Sequence, residues 1–187
     1  MKRCAGRARV VAVLLIAMFA LAGCPAGEPV TGEKESAVSA DRNAELNLRL
    51  ESLPNLEQVT VQYVALTSRI AAAVTEVVPE LIWEEGQRVG KMSCPGELAG
   101  SEGFVISTTM LVSDVPIPSD KWAPALVAAQ TIAAEGGLAK LTVRQDQPDN
   151  HDVMLNGADG ASLTFGSRKA ALISMTTPCR LEDRRDS

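Results

Sequence analysis

Residues 151–167, HDVMLNGADGASLTFGS, decide how the fold is read. Val153 and Leu155 stand two apart, as do Leu163 and Phe165, the spacing that puts side chains on one face of a strand. Between them, NGADG at residues 156–160 supplies the glycines whose positive φ values a tight hairpin needs. The segment is therefore an antiparallel hairpin with one apolar face. On its N-terminal side LAKLTVRQD offers Leu141 and Val143 at the same spacing. On its C-terminal side AALISMTTPC offers Leu172 and Ser174, with Gly166-Ser167 as the expected turn.

Upstream the periodicity changes. Leu56, Val59, Tyr63, Leu66, Ile70, Val74, Val77 and Leu81 recur every three or four residues, a helical stripe. Asn55 and Gln58 have the spacing of a capping box, and Pro79 limits the far end. A second helix, DKWAPALVAAQTIAAEGG, follows Ser119 or Asp120 as cap and buries Trp122, Leu126, Ala129 and Ile132 or Ala133. ELIWEE and FVISTTMLV are the strands expected between the helices, separated by a glycine-rich loop that carries Cys94. The order α-β-β-α-β-β-β predicts an α+β fold, a two-layer sandwich. Its mainly antiparallel sheet has about five strands, with both helices on one face and the other face more polar and partly open for a partner.

The start of the chain carries an address. Lys2, Arg3, Arg7 and Arg9 precede an apolar run over residues 10–23, which Pro25, Gly27 and Glu28 stop. The run is too short for the roughly 20 residues of a membrane-spanning helix. Its basic, apolar, small-residue order is that of a secretory signal. Leu21-Ala22-Gly23-Cys24 resembles the bacterial lipobox, which implies lipidation of Cys24, cleavage before it, and anchoring on the extracytoplasmic side of the cell membrane. Residues 1–23 are thus the signal peptide. Residues 24–50, rich in Pro, Gly, Glu and Ser, read as a flexible tether whose far end leans towards helix. Residues 51–187 read as a single domain.

Cleavage removes four basic residues and no acidic one, so 14 Lys and Arg face 23 Asp and Glu, a net charge near −9. Nucleic acid is excluded as a partner, because such binding rests on basic residues neutralising phosphates. Membrane attachment falls to the N-terminal lipid. With Cys4 removed and Cys24 acylated, Cys94 and Cys179 remain, and an exported pair is expected to form a disulfide. The closed loop of about 86 residues would contribute on the order of 4 kcal/mol in the chain-entropy model.

No catalytic constellation, metal site or cofactor motif emerges. His151 is the only histidine. Asp149, Asn150, His151 and Asp152 read as a polar turn opening a strand, since neighbours on a strand point to opposite faces. Trp83 and Trp122 read as core plugs in a chain that is only 3% aromatic.

The lipobox, VPELIW, the CPG loop, SDKWAPALVAAQTIAAEGG, NHDVMLNGADGASLTFG and TTPCRL together resemble the LppA-like lipoproteins of mycobacteria and related actinobacteria, over roughly residues 10–181. The resemblance implies a cell-envelope lipoprotein and transfers no catalytic residue. The expected function is a non-enzymatic module that binds or senses an envelope partner. The alternative is a carrier of lipid or another apolar small molecule, which would need a lined cavity.

Overall fold

In the computed structural model, residues 32–88 and 90–183 are described; the expected signal segment, residues 1–23, and Cys24 lie outside them. Helix α1 spans Gly32–Glu51 and α2 spans Leu56–Val77. Strands β1 (Glu84–Arg88), β2 (Lys91–Ser93), β3 (Phe104–Ile106) and β4 (Thr109–Ser113) follow, with a 3-10 turn at Gly96–Leu98 between β2 and β3. Helix α3 (Ser119–Glu135) leads into β5 (Lys140–Gln147), β6 (Asn150–Asn156), β7 (Ser162–Ser167) and β8 (Ala171–Thr176). Six strands form one antiparallel sheet in the order β1-β4-β8-β7-β6-β5, and β2 pairs with β3 in a separate ribbon.

The hairpin at residues 151–167 forms as its sequence dictates: Val153 pairs with Phe165 and Leu155 with Leu163, all four buried. Across the next interface Phe165 pairs with Ile173 and Leu163 with Met175, so these residues share one face. Both helices rest on it. The α3 ring of Trp122 stacks on Phe165 at 5.0 Å, and Thr67 of α2 lies 3.7 Å from the Met175 sulfur. The fold is therefore α+β, with α2 and α3 on one side of the sheet. At the start of α2 the capping box is complete: Asn55 accepts from the Gln58 N–H at 2.9 Å, and the Gln58 side chain accepts from the Asn55 N–H at 3.0 Å.

Several details depart from expectation. In β8 the inward residues are Ala171, Ile173 and Met175, which replace Leu172 and Ser174. The turn occupies residues 168–170 and leaves Gly166-Ser167 inside β7, so Ser167 pairs with Ala171 and the strand's phase moves by one residue. Leu141 and Val143 do pair with Leu155 and Val153, yet they remain 38% and 53% exposed. Edge strand β5 extends past the cover of the helices. The first strand begins after Trp83, and FVISTTMLV breaks at Ser107-Thr108 into β3 and β4. The break lets the segment change partner: Phe104 bridges Arg180, whereas Leu111 pairs with Ile173. In α3 the fully buried line is Trp122, Ala125, Ala129 and Ala133, with Leu126 and Ile132 on its flanks. Pro118 occupies the cap position, and the Ser119 hydroxyl is turned to the Asp149 carboxylate.

The largest departure is α1. Most of the segment expected to be tether is helical, because Leu46 and Leu50, four apart and so on one face, are buried at 5% and 3% exposure. Leu50 packs with Val105, Cys94 and Cys179 in a small second core, and the Asn47 side chain accepts from the Glu102 N–H at 2.8 Å.

Candidate functional site

A cleft of about 560 Å³ opens where the start of α2, the end of α3, the β6–β7 turn and the segment after β8 meet. Each wall follows from local sequence. The α2 stripe presents Val59, Tyr63 and Leu66 at helical spacing. Gly136 ends α3, and a Cβ there would stand 2.3 Å from the Leu66 side chain, which would have to move to admit it. The β6–β7 turn, held by Gly160 at φ 88°, carries Asp159. Arg180 is fixed by its own backbone, which exchanges two hydrogen bonds with Phe104 at 2.8 and 3.0 Å.

The cleft's polar groups converge. Arg180 is only 9% exposed. Its Nη1 donates to the Cys179 carbonyl at 2.7 Å and its Nη2 to Asp159 Oδ2 at 3.2 Å, while the buried Nε has no partner among the described residues. At the rim Arg69 pairs with Glu135, tying α2 to α3. The Tyr63 phenol has no hydrogen-bond partner among the described residues. Burial, with a contribution from the Asp159 charge that Arg180 partly offsets, pushes its pKa up to about 12. The phenol is therefore a protonated donor at any physiological pH.

Tyr63 is the only tyrosine, so phenolate absorbance reports it alone. The folded chain should titrate near pH 12, and the unfolded chain near the ordinary value of 10.0. Between these the unfolded state releases a proton that the folded state retains, so stability should fall as pH rises through that window. Tyr63→Phe should remove that part of the alkaline loss. A native midpoint near 10 would mean the phenol is not enclosed.

Cys94 and Cys179 are joined in a disulfide with Cα atoms 5.5 Å apart. Gly103 lies against it: a Cβ there would come within 2.8 and 2.9 Å of the two sulfurs. His151 is not part of a turn. It sits in β6 facing the core at 8% exposure, stacked on Trp122 at 4.4 Å, and its Nδ1 donates to Asp146 Oδ1 at 2.8 Å. Asp152 points to the other face, where Arg144 binds it at 2.6 Å. The turn itself is at Asp149, at φ 57°. Trp122 is a core residue. Trp83 lines a shallow surface groove beside Ala71, Ala72 and Leu111 and donates to Thr75 at 3.0 Å. Among the described residues no group of three or more His, Cys, Asp or Glu could hold a metal ion.

The cleft residues were not singled out by sequence, because Tyr63, Asp159 and Arg180 come from three distant segments. The one available signal was an arginine directly after a half-cystine, just past the last strand.

Residues 31–183 match the LppA family, described as a lipoprotein confined to pathogenic Mycobacterium. The crystal structure of the lipoprotein LppA from Mycobacterium tuberculosis is similar, with a TM-score of 0.64 at 12% identity, covering 81% of this chain and 92% of that one. A DUF4853 family protein from Actinomyces odontolyticus ATCC 17982 is similar at a TM-score of 0.51 and 13% identity, covering 73% of each chain. At these identities the likeness is one of fold. No curated protein matches the sequence.

Proposed function

The chain belongs to the LppA lipoprotein family, and from that premise we propose a cell-envelope protein acylated at Cys24, whose folded domain is a non-enzymatic binding module. The cleft between α2 and the β6–β7 turn is its binding site. The observation that carries this reading is a recess bordered by the Tyr63 phenol and by Arg180, whose buried Nε lacks a partner among the described residues. Against the carrier alternative stands the filled space between helices and sheet: Ile70, Val74, Leu163, Phe165, Ile173 and Met175 are all at 0% exposure. An apolar cargo would need that space.

Two experiments test the proposal. Cys24→Ala should abolish acyl labelling and move the protein out of the membrane fraction; a labelled, membrane-bound variant would refute the anchor. A photo-crosslinking residue at Gln62, on the cleft wall, should give a discrete adduct in intact envelopes. The same group at Val61, which is 70% exposed outside the cleft lining, should not. Equal labelling at both would refute the cleft as the site.

A further inference from the structure

We infer that the cleft takes a terminal carboxylate borne on a short apolar segment, which displaces Asp159 from Arg180. The inference rests on the cleft being the binding site and assigns the chemistry of what enters it.

The argument begins with the guanidinium. Nε and Nη2 form one edge of the arginine fork, the edge that matches the two oxygens of a carboxylate. In this structure that edge is half used. Nη2 reaches Asp159 at 3.2 Å, longer than the roughly 2.7–2.9 Å of a good charge-assisted bond. Nε, beside it, is buried with no partner among the described residues. A buried donor left unpaired carries its full desolvation cost. Asp159 fills the edge poorly because its other oxygen accepts from the Ala161 N–H at 3.3 Å, which turns the carboxylate towards its own hairpin.

Asp159 is also free to leave. Its side chain is 44% exposed. It sits in a tight turn, and Arg180 and Asp159 also border a second recess, of about 380 Å³, which Arg49 lines. A displaced Asp159 can turn towards that cation. An incoming carboxylate would then satisfy Nε and Nη2 together and accept from the Tyr63 phenol, whose proton is secure. Specificity follows from charge: removing Asp159 leaves Arg180 as an uncompensated cation, which a carboxylate neutralises and an amide does not. The lining also includes Val59, Leu66, Pro54 and Pro178, beside Gln62 and the Arg69–Glu135 pair, and its apolar members suit a small apolar segment next to the acid. Such a group occurs at a peptide C-terminus and on a short fatty acid.

Calorimetric titration of the full chain in a non-ionic detergent separates these sources. N-acetyl-alanyl-alanine forms one arm and hexanoate the other, each beside its carboxamide. At least one acid should bind about tenfold or more tighter than its amide. Which acid binds identifies the source. Tyr63→Phe should weaken binding several-fold with the melting profile kept. Asp159→Asn should act in the opposite direction and tighten binding by about tenfold, because the internal competitor is gone. That sign keeps the test decisive even if Arg180→Gln does not fold. Equal binding of acid and amide, or weaker binding by Asp159→Asn, overturns the assignment. Silence from both acids, with a discrete adduct at Gln62 in envelopes, overturns the carboxylate and leaves the binding cleft standing. Silence in both experiments overturns the two together.

Discussion

Replacing Cys94 and Cys179 with alanine together will cost roughly 2–5 kcal/mol, the range for removing a native bridge from a small domain. The loss has two origins. The bond spans 85 residues, so its removal restores a large loop to the unfolded ensemble. It is also the floor on which Leu50 and Val105 rest. Losing the sulfur pair should therefore loosen α1 before the main domain. Hydrogen exchange should show protection falling around Leu46 and Leu50 while Ile70 and Val74 in α2 keep theirs. Uniform loss across both helices would mean that α1 is not a separately held element. Gly103→Ala should reproduce much of the effect with the cysteines intact, since its methyl group has no room beside the sulfurs.

Phe165→Ala should cost about 3–5 kcal/mol, measured as a lower urea midpoint with an unchanged slope. Phe165 is fully buried, pairs with Val153 on one side and Ile173 on the other, and supports the Trp122 ring that in turn supports His151. No neighbour can collapse into the space without breaking that stack. Val143→Ala is the contrast. Register puts Val143 on the same face, but at 53% exposure it should change stability by only about 0.5 kcal/mol. Equal effects would mean that edge strand β5 is buried in solution, against another molecule.

The sequence was most legible where local geometry alone decides structure. The Asn55 and Gln58 spacing marked the start of α2, and NGADG with its flanking pairs marked the central hairpin. It was least legible where a distant segment decides. The phase of β8 hung on which residues made the turn, and Gly166-Ser167 was as good a candidate as residues 168–170 until the pairing with β7 was known. Leu50 looked like one apolar residue in a polar leader, because its partners, Val105 and the disulfide, come from segments more than forty residues on. Tyr63 carried a helical period and Asp159 a turn, so each already had a sufficient local explanation. Their meeting with Arg180 is visible only in three dimensions.

The position of β8 has a further consequence, for the order of events as the chain is made. The last strand among the described residues is an interior one, between β4 and β7. Until residues 171–176 exist, no strand pairing among the described residues joins β1 and β4 to β5, β6 and β7. The tail just beyond β8 then closes the structure at a third point, where the Leu181 carbonyl accepts from the Leu56 N–H at 2.8 Å. Pairings this remote in sequence form late and slowly. A chain that stops before residue 171 therefore lacks the strand that joins β4 to β7, and the six-stranded sheet cannot be complete until β8 is made.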